Sequence, residues 1–449
     1  MSQLEIERPQ YGVGLDPRRK LDVLLPALGS SGDVNPMIEI GIALKKRGHH
    51  AVVITNALFR QQILGAGLEF MELGTVQEAE AIFADPRLLN PRKSYECVAE
   101  RVILPYVGPL YHMVRERQSA NTVVAASGFC FGALIAREKL GVPVATIHLQ
   151  PSMIRSLTDG GSPESGRIHA ISRKLFRRAL FWALDKFRFD RLMASSINSF
   201  RASLGLPPVG RIFKDHVNSP DAVIGLFPDW FAPYQPDWPK NMHLTGFLLH
   251  DDGERRQLAD DIGDFMSAGP SPVVFTPGSS AATLGNFFRE SVEACRIGGH
   301  RGMLVTNFRE QLPRDLPPGV RAFSYLPFSR ILPRCSALVY PGGIGTMAQA
   351  IRAGIPHLVV PHVNDQPDNA LRIERLGLGS RIPSKQYKAE RVAGELRRLL
   401  ASRQIEDQCS AYAARMNPEA DLDRTCDLIV GLAENRAASA FDTPACAIA

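Results

Sequence analysis

No stretch of about eighteen consecutive apolar residues occurs in the chain, and its opening, MSQLEIERPQ, lacks the apolar core of a secretory leader. A membrane-spanning helix is therefore not expected, and a cytoplasmic protein is. No C-x-x-C pair is present. The seven cysteines (Cys97, Cys130, Cys295, Cys335, Cys409, Cys426, Cys446) are scattered and odd in number, which argues for reduced thiols and against a disulfide framework or zinc site. The strings G-x-G-x-x-G and G-K-[ST] are missing, so neither the dinucleotide fingerprint nor the P-loop is satisfied. The sole D-x-D, Asp421-Leu422-Asp423, lies far from any ligand loop and reads as a solvated helix start, so neither metal nor cofactor is expected. Fifty-two basic against 46 acidic residues leave a net charge of only +6, and no nucleic-acid-binding motif accompanies it.

What is present is the composition of a folded protein, 45% hydrophobic and 22% charged over 449 residues, enough chain for two domains. LDVLLPAL (21–28) has the continuity of a strand buried on both faces. A helix is expected over 37–48, with Asn35 as N-cap and Pro36 at its first position, followed by the strand HAVVITN (50–56). This βαβ pattern implies a parallel sheet, and it recurs in TVVAAS (122–127), PVATIHL (143–149) and AVIGLF (222–227). A second series begins at PVVFTPGSS (272–280) and continues through GMLVTN, VRAFSYL, ALVYPGG and HLVVPH. The fold class is therefore α/β, with two Rossmann-like doubly wound domains. The expected boundaries are a flexible extension over 1–19, a first domain over 20–240, a linker over 241–271 and a second domain over 272–400. Helices are expected over 401–435 and a disordered tail over 436–449.

Ligands of open parallel sheets sit beyond the carboxyl ends of strands. GSSGD (29–33) occupies such a place in the first half, where Asp33 either caps the following helix or acts as a general base facing a cleft. Ser31 and His148 are candidates for acceptor contact, and a structural role for His148 remains open. In the second half TPGSS (276–280) and PGGIGT (341–346) both follow strands, and Gly342, Gly343 and Gly345 leave room for a phosphate or pyrophosphate at a helix start. Asp365 and Gln366 follow the next strand and offer the acceptors and donors that suit a sugar's vicinal hydroxyls.

YLPFSRILPRCSALVYPGGIGTMAQAIRAGIPHLVVPHVNDQPDNALRIERLGLG (325–379) resembles the donor signature of nucleotide-sugar-dependent glycosyltransferases of the GT-B fold, and LLPALGSSGDVNPMIEIGIALKKRGHHAVVIT resembles their acceptor half. Closer features, VYPGGIG, LFPDWFAP with QPDWP and TGF, and ADPRLLNPRKSY, resemble the rhamnosyltransferases of rhamnolipid biosynthesis. The resemblance implies an inverting, metal-independent transferase in which Asp33 is the catalytic base. It also implies that Tyr325 stacks on the base while the Leu326 backbone bonds its edge, and that Thr276, Ser279, Ser280, Gly345 and Thr346 hold the diphosphate. Gln349 stands where relatives carry a ribose-binding Glu, and Asp365 with Gln366 would hold the sugar. Pro341 replaces a His that relatives place against the pyrophosphate. The implied donor is dTDP-L-rhamnose and the implied acceptor a hydroxyalkanoyl lipid, with UDP-glucose transfer to a sterol, polyketide or flavonoid, or a non-catalytic helper, as the alternatives.

Residues 173–192 form a basic amphipathic segment with Leu175, Phe176, Ala179, Leu180, Trp182, Ala183, Leu184 and Phe187 on one broad side and Arg173, Arg177, Arg178, Arg188 and Arg191 largely on the other. Two readings are open: a helix packed by that side onto the first domain with a solvated basic face, or peripheral contact with anionic membrane lipids or a lipidic acceptor.

Overall fold

The structure, a computed structural model, describes residues 20–158, 167–251, 260–278 and 285–441. The expected N-terminal extension and the candidate residues Ser279 and Ser280 lie outside the described residues. Among the described residues, thirteen strands form two parallel sheets. The first is built from β1 (Asp22–Pro26), β2 (His50–Thr55), β3 (Glu69–Glu72), β4 (Thr122–Ser127), β5 (Val144–His148), β6 (Ala222–Gly225) and β7 (Met242–Leu244), in the order β3-β2-β1-β4-β5-β6-β7. The second contains β8 (Val273–Phe275), β9 (Gly302–Val305), β10 (Val320–Phe323), β11 (Ala337–Tyr340), β12 (His357–Val359) and β13 (Gly379–Arg381), in the order β10-β9-β8-β11-β12-β13.

The central strands are the continuous apolar runs of the sequence. Val23, Leu24 and Leu25 of β1 are fully buried, as are Leu338 and Val339 of β11. Helices cover both faces of a parallel sheet, so no residue of such a strand needs to be polar. In each sheet the order reverses beside the first strand of the series, between β1 and β4 and between β8 and β11. These switch points are where the loops diverge and a ligand can enter.

The first helix begins earlier than the pattern of Asn35 and Pro36 suggests, running from Ser31 to Lys46 with Ser30 as N-cap. A capping box decides this: the Ser30 hydroxyl accepts from the first-turn amides and the Asp33 carboxylate accepts from the Ser30 amide, leaving Pro36 inside the helix. Met242–Leu244, within the segment expected as a linker, forms the edge strand β7 of the first sheet. The helical C-terminal region consists of Ala389–Leu400, Arg403–Ala414 and Pro418–Phe441. The last of these extends into the segment expected as a disordered tail, whose remainder lies outside the described residues.

That last helix does not stay with the second sheet. Leu422, Cys426, Ile429, Leu432 and Ala433 join the core under the first sheet, and Arg47 pairs with Asp423 at 2.8 Å and Asp427 at 2.7 Å. The apolar seam between the halves is continuous as well. Phe227, Phe231, Trp238 and Phe247 of the first half belong to the same cluster as Phe275, Leu338 and Tyr340 of the second.

The segment 167–203 departs from one of its two sequence readings. It folds as the helix Arg167–Leu184, a wider turn over Asp185–Phe189 and the helix Asp190–Ser203. Leu175, Phe176, Leu180, Trp182 and Phe187 are exposed rather than packed onto the first domain. Of the side named from the sequence, Leu184 alone among the large residues turns inward, where it is half-buried with Phe181 and Phe189 and lines the cleft between the halves. No helix among the described residues is long and apolar enough to cross a membrane.

Candidate active site

A cleft of about 1500 Å³ separates the carboxyl ends of the two sheets and receives residues from both halves. Ser31, Asp33, Thr276, Tyr325, Leu326, Gly343, Gly345, Thr346, Gln349, Asp365 and Gln366 all line it. Gly342 lies just beneath the lining, and His148 does not reach it.

Asp33 is placed by the capping box. Its Oδ2 accepts from the Ser30 amide at 2.8 Å and from the Ser30 hydroxyl at 3.2 Å, so one oxygen is anchored. The carboxyl group is largely enclosed by the cleft walls, and this burial outweighs the Ser30 bonds and raises its pKa to about 6. Gly29 makes room for it. At φ +135° a Cβ on Gly29 would lie 2.2 Å from Asp33 Oδ2. A carboxylate that ionises just below neutrality, facing a cleft, suits general-base work on a hydroxyl.

Opposite stands the second half. Gly342 has φ +101°, and a Cβ there would meet Val359 at 2.8 Å and the Gln366 carbonyl at 3.2 Å, so the loop after β11 needs glycine at this point. Gly343 is the N-cap of the helix Ile344–Ala353, and a Cβ at Gly343 or Gly345 would meet nothing within 4 Å. The space in front of this helix start is therefore open to an anion, which its amides would bond. Pro341 is buried, and its ring approaches the loop after β8: a Cβ on Gly278 would lie 3.3 Å from it. The proline thus wedges the two glycine loops together at the switch point. Thr276 is buried, and its Oγ1 accepts from the Gly278 amide at 3.3 Å.

Asp365 and Gln366 are held differently. Asn369 Nδ2 donates to Asp365 Oδ2 at 2.7 Å and to the Gly342 carbonyl at 2.9 Å, coupling the acidic residue to the glycine loop. Burial, then the charge of Asp33 among smaller contributions, raises Asp365 to about 6 despite the Asn369 bond. Gln366 Oε1 accepts from the His362 and Val363 amides at 2.9 and 3.2 Å. Its amino group is left as a donor beside the Asp365 acceptor, an arrangement that matches neighbouring hydroxyls. Tyr325 is 38% exposed at the far end, where Phe308 and Asn307 add to the wall. Gln349 is buried, and its Nε2 lies 3.5 Å from the His250 carbonyl.

His148, a candidate for acceptor contact, is buried in the first half with Nε2 2.7 Å from Asn218 Oδ1. Burial lowers its pKa to about 4, and it is not among the residues that line the cleft.

Sequence reasoning missed three features. On the first-half side, which carries Asp33, the cleft lining includes an apolar chamber of Leu73, Ile82, Phe83, Leu88, Val98 and Phe129. Arg155 closes one side, paired with the buried Asp185, its guanidinium 4.8 Å from the Phe189 and Phe213 ring centroids and 5.2 Å from Phe181. At the back, His250 Nδ1 donates to Glu39 at 2.5 Å while Gln62 donates to His250 Nε2 at 2.9 Å and lies 3.1 Å from Asn35. The spacings of these partners run from 26 (Phe181 less Arg155) to 211 residues, and only the aromatic content of 181–213 hinted at any of them.

Residues 23–157 match the glycosyltransferase family 28 N-terminal domain, and residues 303–424 match the C-terminal domain of erythromycin biosynthesis protein CIII-like proteins. O-mycaminosyltylonolide 6-deoxyallosyltransferase of Streptomyces fradiae is 27% identical over 92% of this chain and 98% of its own. Among solved structures, the glycotransferase of kitacinnamycin superposes with a TM-score of 0.71 at 18% identity, covering 93% of this chain and 99% of its own. Glycosyltransferase VinC, solved in complex with dTDP, gives 0.61 at 20% identity over 92% and 100%. The chain is a glycosyltransferase of the GT-B fold that takes its sugar from a nucleotide-sugar donor. Its first half is similar to the family 28 N-terminal domain and its second half to the CIII-like C-terminal domain.

Proposed function

We propose that this glycosyltransferase moves L-rhamnose from dTDP-L-rhamnose, with inversion, onto the hydroxyl of a hydroxyalkanoyl lipid to make a rhamnolipid. The apolar chamber that opens onto Asp33 carries this reading: a wall of aliphatic and aromatic side chains ending at a carboxylate suits an acyl chain with its hydroxyl at the mouth. Asp33 takes the hydroxyl proton as the oxygen attacks the anomeric carbon, and the nucleoside diphosphate departs from the opposite face. The developing diphosphate charge falls to the amides of the open helix start at Gly343–Thr346 and to Thr276. Asp365 and the Gln366 amino group orient the sugar, Tyr325 stacks on the base, and Gln349 reaches the ribose edge. With Pro341 in place of a histidine, neither a side-chain donor nor an N–H comes from that position. The thymidine diphosphate reading draws on the dTDP complex of VinC, and the rhamnolipid reading on VYPGGIG and LFPDWFAP.

A second reading keeps the site and changes the acceptor to a polyketide, which the name of the Streptomyces fradiae relative favours. Purified protein assayed with dTDP-L-rhamnose and UDP-glucose, each against a hydroxyalkanoyl acid, a sterol and a macrolide aglycone, separates them. Transfer only from dTDP-L-rhamnose and only to the acid is expected. Preference for either other acceptor, or for UDP-glucose, sinks the rhamnolipid reading, and absence of any donor turnover sinks the catalytic one.

A further inference from the structure

The helix Arg167–Leu184 and the turn that follows present two apolar faces. Arg177, Phe181, Leu184 and Phe189 point inward and line the chamber. Outward stand Leu175, Phe176, Leu180, Trp182 and Phe187, exposed by 62, 68, 41, 55 and 61%. Ten large apolar side chains are exposed among the described residues, and five of them fall within this one short stretch. Singly exposed apolar residues need no explanation, whereas a cluster of this kind marks an interaction surface.

Its rim is cationic. Lys174, Arg178, Lys186 and Arg191 are exposed around it, and Lys186 Nζ sits 5.2 Å from the Trp182 ring and 5.7 Å from that of Phe187. The two acids of the segment face other tasks: Asp185 is buried against Arg155, and Asp190 accepts from the Arg211 and Ile212 amides at 2.8 and 3.0 Å. Pairing two copies of this chain through the face would set eight such cations together with no acid of the patch to meet them. An anionic bilayer meets both demands, taking the rings and leucines at the acyl boundary and the lysines and arginines at its headgroups.

We propose that this face docks the enzyme on an anionic lipid surface, so that one helix lies between the bilayer and the acceptor chamber and admits the acceptor from the lipid side. The docking stands on the surface alone, and the delivery rests on the reading of the chamber as the acceptor site.

The test uses the full chain and sedimented vesicles of equimolar phosphatidylglycerol and phosphatidylcholine, with pure phosphatidylcholine as control. Trp182 is the reporter, because Trp238 is buried and Trp230 packs against Phe231, Phe247 and Tyr412. The wild type is expected to sediment with the anionic vesicles, to lose tryptophan emission when the lipids are brominated, and to release as salt is raised. F176E/F187E, changed at two exposed positions outside the cleft, is expected to stay in the supernatant while turning over a short soluble acceptor at the wild-type rate. W182F is expected to bind without quenching. Equal recovery on neutral and anionic vesicles, absence of quenching, or a solution dimer dissolved by F176E/F187E would overturn the proposal. Anionic binding by a protein that transfers no sugar would leave the surface standing and remove the functional reading.

Discussion

Asp33 and Asp365 come from opposite halves of the molecule, and the charge on Asp33 adds to the burial that raises Asp365 to about 6. Asp33 is itself raised to about 6, chiefly by burial. Two carboxylates facing one cleft make the site expensive to ionise.

Activity should therefore rise with pH through about 6, since only ionised Asp33 can take a proton, and a plot of log kcat/KM against pH checks this. The stability sign is opposite. A raised acid pKa means that ionisation costs the folded state more than the unfolded one, with the cost absent below about 3.8 and complete above about 6. Asp33→Asn should abolish transfer, retain dTDP binding and melt higher than the wild type at pH 8, with the difference vanishing near pH 3.5. A lower melting point at pH 8 would refute the burial argument.

Gly29→Ala places a Cβ 2.2 Å from Asp33 Oδ2 in a backbone conformation that alanine avoids. The carboxylate must move, and a displacement of about 1 Å at a reacting group can cost on the order of 100-fold in rate. The expected result is that loss in kcat with unchanged dTDP affinity by calorimetry. An active Gly29→Ala enzyme would show that Asp33 does not need this position.

Asn369 joins the Asp365 carboxylate to the glycine loop. Asn369→Ala leaves Asp365 Oδ2 and the Gly342 carbonyl without their buried donor, at a cost of about 1–3 kcal/mol in urea unfolding. Donor KM should rise more than the dissociation constant of free dTDP, because the sugar contact is freed while the loop amides remain. Equal changes in both would assign Asn369 to the loop alone.

Arg155→Met strands the buried Asp185 among aromatic rings, and breaking such a pair costs about 3–5 kcal/mol. Adding Asp185→Leu should recover most of that loss, because the second substitution removes the unpaired charge. A double variant as unstable as the single one would mean that packing of the Arg155 stem, and not charge, governs this wall.

The central strands could be read from the sequence because they are buried on both faces, which leaves an unbroken apolar string such as VLL in β1 or ALV in β11. Glu69–Glu72, Met242–Leu244 and Gly379–Arg381 escaped notice as short edge strands with polar or small residues. The first helix start was misplaced because Pro36 resembles a first-turn proline, while Ser30 and Asp33 hold the stronger signal three residues apart. The glycine loop after β11 was legible since glycine at Gly342 answers a backbone requirement that survives in sequence. Asn369, Arg155 with Asp185, and His250 with Glu39 were not, because each acts through a partner that only the fold brings near. The helical periodicity of 173–192 marked an apolar side and carried no information on whether protein or solvent would meet it.

The return of the helix Pro418–Phe441 to the first sheet gives the molecule a seam that crosses the chain twice. Recombining donor halves between such transferases by one cut near residue 271 would set a foreign helix over Val34, Met37 and Leu44 and replace the acids that meet Arg47. A module boundary that respects the packing needs two cuts, the second before Pro418, with the last helix travelling alongside the acceptor half it covers.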